Sequence, residues 1–75
     1  MTPRLPRVSG KEVVAALNRG NFIFLYIEGS HHYFLSPTGN LITVPVHLKK
    51  ILKPKTLKSI LEQADLTIEQ LIDLL

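Results

Sequence analysis

Phe22-Ile23-Phe24-Leu25-Tyr26-Ile27, His31-His32-Tyr33-Phe34-Leu35 and Leu41-Ile42-Thr43-Val44 follow one another in the middle of the chain, rich in β-branched and aromatic residues. Gly29 punctuates the first gap and Ser36-Pro37-Thr38-Gly39-Asn40 the second. Apolar runs of this length between turn-forming residues predict three strands in antiparallel sequence. Pro45 ends the pairing of the third strand or marks it as an edge. The first strand differs from the other two. It is apolar at every position from Phe22 to Ile27, whereas a half-exposed strand alternates. It therefore lies centrally under additional cover or turns its outer face to another protein.

Helices flank this sheet on both sides in sequence. Ser9 and Glu12 have capping-box spacing, and Val8 with Val13 sits where a hydrophobic staple belongs. Val13, Val14, Ala16 and Leu17 form an apolar stripe at helical spacing. Asn21 can adopt the left-handed conformation that ends such a helix near Gly20. After the strands, Lys49 to Lys53 read as a loop or short turn. Pro54 suits the first turn of a helix whose buried stripe is Leu57, Ile60, Leu61 and Ala64. Thr67 and Gln70 repeat the capping-box spacing before a short last helix containing Leu71, Ile72, Leu74 and Leu75. The order α-β-β-β-α with a short C-terminal helix predicts an α+β fold, with helices on one face of a three-stranded antiparallel sheet. No repeat, linker or low-complexity segment interrupts residues 1–75, which read as a single domain.

Composition narrows the function classes. The 75 residues contain no cysteine, which excludes disulfide staples and thiolate zinc sites and fits a reducing cytoplasm. The longest apolar run is too short to cross a bilayer, and Arg4 and Arg7 lead into the polar Ser9-Gly10-Lys11-Glu12 rather than a signal-peptide core. A soluble cytoplasmic protein with no membrane partner is expected. The net charge of +3 is unevenly distributed. No Asp or Glu occurs between Gly29 and Leu61, a stretch that holds Lys49, Lys50, Lys53, Lys55, Lys58 and all three histidines. Four acids, Glu62, Asp65, Glu69 and Asp73, come after it. Such a division points to a polyanion-binding face, with a solvated lysine-rich loop as the plainer alternative.

Most enzyme constellations are missing. Glu28 is the one carboxylate near the histidine pair, so a two-metal nuclease site lacks ligands. Chelation by His31 and His32 together is disfavoured because strand neighbours point to opposite faces. No metal, small-molecule cofactor or glycine-rich phosphate loop is expected. What remains is histidine chemistry beside a basic patch. A neutral imidazole can take the proton of an RNA 2′-hydroxyl, and an imidazolium can protonate the leaving oxygen. Lysines can position phosphates and offset charge that develops in the transition state. If Phe34 packs beneath the helices, Ser30 and His32 share its side, and His31 lies with Tyr33 and Leu35 on the other. Tyr33 could then stack on a base. The opposite assignment exposes His32. A hydrogen-bonded structural histidine is the alternative in either case.

The same residues resemble the HicA family of bacterial and archaeal toxins over nearly the whole chain. The segment from Arg4 to Val14 looks like the family's opening into its first helix. Gly29-Ser30-His31-His32-Tyr33-Phe34 is similar to its signature, and Thr43-Val44-Pro45-Val46-His47 to its third strand. Leu52 to Leu61 looks like its second helix, and Gln63 to Thr67 like the segment that leads into the tail. The resemblance implies a double-stranded-RNA-binding-domain-like fold, ribosome-independent cleavage of mRNA, and a HicB-type antitoxin that covers the active face. It places the catalytic histidine at His31, with His32 as the alternative. Ser30, Tyr33, His47, Lys49, Lys50, Lys53, Lys55 and Lys58 are the candidates for RNA contact. Asn21 and Asp65 stand where relatives carry glycine, and Tyr26-Ile27-Glu28 where they often carry Arg, Gln or Lys. A non-catalytic RNA-binding module and a protein-interaction domain built on the apolar first strand are the competing readings.

Overall fold

A computed structural model describes residues 4–48 and 50–75 of the chain. Helix α1 spans Gly10–Arg19. Its start is the capping box expected from sequence: the Glu12 backbone N–H donates to Ser9 Oγ at 3.2 Å, and the Ser9 N–H donates to Glu12 Oε1 at 3.0 Å. Two of the four otherwise orphaned donors of the first turn region are thereby satisfied. Val8 and Val13 are both buried. The end of α1 differs from expectation. Gly20 closes it in extended backbone, φ −88° and ψ −168°, with its N–H shared between the Ala16 and Leu17 carbonyls. Asn21 has no left-handed conformation; Asp65 is the non-glycine residue with positive φ among those described. The shared donor caps the Ala16 and Leu17 carbonyls without a left-handed residue.

Strands β1 (Ile23–Glu28), β2 (His31–Leu35) and β3 (Leu41–Pro45) form one antiparallel sheet in the order β1-β2-β3. β1 is thus an edge strand, which removes the central position as the explanation for its apolar run. Its register against β2 shifts between Phe24 and Tyr26, a β-bulge at Leu25. The β2–β3 turn is held by Ser36, which is buried. Its backbone N–H donates to the Asn40 carbonyl at 2.9 Å, and its Oγ accepts the Asn40 N–H at 2.9 Å.

Helix α2 covers Pro54–Ala64, with Pro54 in its first turn, and ends at Asp65 in the left-handed region, φ 55° and ψ 41°. Helix α3 covers Ile68–Leu74 behind a second capping box, Thr67 with Gln70. Arg19 donates to the Leu74 carbonyl at 2.8 Å, joining the end of α1 to the end of α3 and placing a cation where the helix dipole favours one. The core combines Phe34, Ile42 and Val44 of the sheet with Val13, Ala16 and Leu17 of α1, Leu57, Ile60, Leu61 and Ala64 of α2, and Leu71 of α3. Each large side chain buried there contributes about 1.5–3 kcal/mol against exposure. β1 contributes no buried residue to this cluster. No helix among the described residues is long and apolar enough to cross a membrane.

Candidate functional site

The β1–β2 connection is two residues long. Gly29 takes φ +60° and no positive φ occurs at Ser30, the arrangement of a type II′ hairpin turn. With so short a loop the register is fixed: Glu28 stands across from His31, Ile27 from His32 and Tyr26 from Tyr33. Phe34 is fully buried, as are Ile42 and Val44, the cross-strand partners of Phe34 and His32. Alternation therefore puts His32 on the helix side of the sheet and His31 on the open side with Tyr33 and Leu35. His31 is exposed, whereas His32 is half-buried and its Nδ1 is enclosed without a hydrogen-bond partner. The ring of Phe24 lies 6.3 Å from that of His32.

The open face carries an aromatic platform. Tyr26 stacks on Tyr33 with ring centroids 4.6 Å apart and planes at 20°, and the His31 ring lies 6.5 Å from Tyr33. Sequence reasoning singled out Tyr33 and missed Tyr26. Counting back across the two-residue turn Gly29-Ser30 finds it, since that turn sets Tyr26 opposite Tyr33.

On β3, Pro45 is the cross-strand partner of His31. Pro45 also forms one wall of a cleft of about 340 Å³ whose other lining residues include His47, Lys50, Lys53 and Thr56. The cleft and the open face thus meet at one residue. Three local devices shape it. The Val46 N–H donates to the Ser30 carbonyl at 2.7 Å, closing the end of β3 onto the hairpin turn. The Leu52 N–H donates to the Val8 carbonyl at 2.8 Å, and Ser9 bridges to Ile51, which pins the lysine-bearing segment to the start of α1. Gly10 packs so closely on Pro45 that a Cβ there would overlap the Pro45 carbonyl.

The structure therefore gathers His47, Lys50 and Lys53 in one cleft whose wall residue Pro45 pairs with His31, and leaves other candidates apart. Ser30 is half-buried and serves the turn through its carbonyl. Lys55 is exposed on α2. Lys58 borders a different groove, shared with Glu62 and Asp65. Lys49 lies outside the described residues. Thr56, which lines the cleft one turn into α2, carried no signal in the sequence. Among the described residues no three potential metal-ligating side chains of His, Asp or Glu come together.

No curated protein matches the chain. Its residues 10–66, from the glycine against Pro45 to the end of the α2 cap, match the family described as HicA toxin of bacterial toxin-antitoxin. That span includes α1, the whole sheet, both histidines of the hairpin and the basic cleft. The chain belongs to the HicA toxin family, and hence is a toxin of a toxin-antitoxin pair.

Proposed function

We propose that this chain is an endoribonuclease that cleaves mRNA without a metal, with His31 as the proton-transferring group. The observation that carries the reading is the position of His31, exposed on the open face and paired with Pro45 at the rim of the cleft lined by His47, Lys50 and Lys53. An RNA strand lying across this rim puts phosphates on the cations and a base on the Tyr26–Tyr33 stack, the combination that single-stranded RNA recognition uses. The His31 imidazole takes the proton of a 2′-hydroxyl, and the 2′-oxygen forms a bond to the adjacent phosphorus. The bond from phosphorus to the 5′-oxygen breaks, and the imidazolium returns its proton to that oxygen. The products are a 2′,3′-cyclic phosphate and a 5′-hydroxyl end. DNA lacks the nucleophile and is spared.

Charge accumulates on the phosphoryl oxygens as the 2′-oxygen attacks, and Lys50, Lys53 and His47 offset it. Glu28 is the cross-strand partner of His31 and is the nearest carboxylate in the hairpin that can orient its ring. Lys55, exposed on α2, offers a further phosphate contact, Lys58 a weaker one from the neighbouring groove, and Ser30 holds the turn that aims His31. A HicB-type antitoxin neutralises the chain by covering this face.

The test is incubation of the purified protein with a defined RNA in excess chelator, followed by analysis of the new ends. Cleavage with cyclic-phosphate ends, absent with the matching DNA, is the expected result. Intact RNA across a wide range of protein concentration, with retained binding, would leave an RNA-binding module instead of a nuclease.

A further inference from the structure

β1 is the one element with no buried side chain, although Phe24 packs edge-on against Phe34 and Tyr26 stacks on Tyr33. Ile23, Phe24, Leu25, Tyr26 and Ile27 each leave between 41% and 59% of their surface exposed. That holds on both faces, because the helices pack on β2 and β3 and stop short of this edge. The contrast with the opposite edge is informative. On β3 the Thr43 N–H is occupied by Gln63 Oε1 at 3.0 Å, and Pro45 has no N–H to offer. That edge is closed by the means natural sheets use against unwanted pairing. β1 carries no lysine, proline or covering side chain. Its single charge, Glu28, is at its end, and among the described residues no hydrogen bond reaches its backbone from any element but β2.

We propose that β1 is a self-association surface, through which two copies of this chain pair antiparallel about a two-fold axis into one six-stranded sheet. The pattern of β1 is complementary to itself. Phe24 and Ile27 share the helix side with their partners Phe34 and His32, while Ile23, Tyr26 and Glu28 share the open side with Leu35, Tyr33 and His31. Antiparallel neighbours must present the same face at opposed positions. A register that sets Phe24 against Ile27 of the second copy, and Ile23 against Glu28, meets this condition for both of those pairs. The bulge produces it by placing Leu25 beside Tyr26, and these two then oppose one another across the axis. No acid faces an acid in this arrangement.

Charge and area agree with it. The cleft holding His47, Lys50 and Lys53 lies beyond β3, so pairing through β1 keeps the basic regions of two chains of net charge +3 apart. The exposed apolar side chains amount to roughly 400–500 Å² per chain over the two faces, which is within the range of a monomer's largest patch. Edge pairing covers the part that borders the axis together with the free backbone groups of the strand, an interface of the small, reversible class. Both Tyr26–Tyr33 stacks and both His31 side chains then lie on one side of a continuous sheet. The inference is independent of the chemistry assigned to His31.

Sedimentation of the purified chain alone, at tens of micromolar, is expected to give twice the 8.5 kDa chain mass. Leu25→Lys, which brings two cations together at the axis, is expected to give the single mass with an unchanged circular dichroism spectrum. The chain has no cysteine of its own. In Leu25→Cys, oxidation should therefore link two chains rapidly, and in Thr38→Cys, on the exposed far turn, slowly. The crosslinking arm decides the matter if Leu25→Lys does not fold. A wild-type chain that is monomeric alone and pairs only with its antitoxin overturns the proposal. So does a dimer that persists in folded Leu25→Lys, or equal crosslinking at positions 25 and 38.

Discussion

His31 and His32 are adjacent in sequence and differ in nearly every physical respect. His31 is exposed and pairs with Pro45 of the basic cleft, while His32 sits near Phe24 with an enclosed ring nitrogen that has no hydrogen-bond partner. An unpartnered buried polar atom costs about 1–3 kcal/mol, and its replacement by an apolar group of similar size removes that cost. Thermal or denaturant unfolding of His32→Leu should therefore show a stability equal to the parent or higher by about 1 kcal/mol. Asp65 holds a left-handed conformation at the end of α2, which an L-residue adopts at a cost glycine escapes. Asp65→Gly should raise stability by about 0.5–1 kcal/mol in the same measurement. Gly10 has the opposite requirement. Its contact with the Pro45 carbonyl leaves no room for a side chain, so Gly10→Val should lower stability by about 1–3 kcal/mol and disturb the strand end opposite His31.

At the scale of elements, what could be read from the sequence was what is determined locally. Both capping boxes, the proline at the start of α2 and the turn after β1 depend on residues a few positions apart, and each is present. The sides taken by His31 and His32 followed once Phe34 was placed in the core. The position of β1 was not legible, because an all-apolar strand reads the same at the centre of a sheet and at an edge that awaits a partner. The end of α1 was misread for a related reason: Asn21 had the right chemistry, but Gly20 closed the helix one residue earlier in another conformation. The lysines posed a tertiary question. Lys50 and Lys53 share the cleft with His47, whereas Lys58, close in sequence, faces Glu62 and Asp65. This separation predicts unequal roles. RNA binding should lose about 0.7 of its slope in log K against log salt for each of Lys50→Ala and Lys53→Ala, and less for Lys58→Ala. Titrations at several salt concentrations measure it.

For the molecule as a whole, the sheet separates three kinds of surface. The helix side of β2 and β3 is spent on the core, the open side presents His31 and the tyrosine stack, and the two edges are treated oppositely, β3 closed and β1 bare. A toxin small enough to be one layer of helices on three strands has little interior to spare. In the proposed reading its chemistry stands on the exposed face, open to cover by an antitoxin. The account therefore depends on the face assigned to each histidine, and one comparison tests it most directly. The rate of RNA cleavage in chelator should fall by at least about 100-fold in His31→Ala, the usual contribution of a positioned acid–base group, and remain within a few-fold of the parent in His32→Ala. Undiminished cleavage in His31→Ala, or loss confined to His32→Ala with its fold intact, would contradict it.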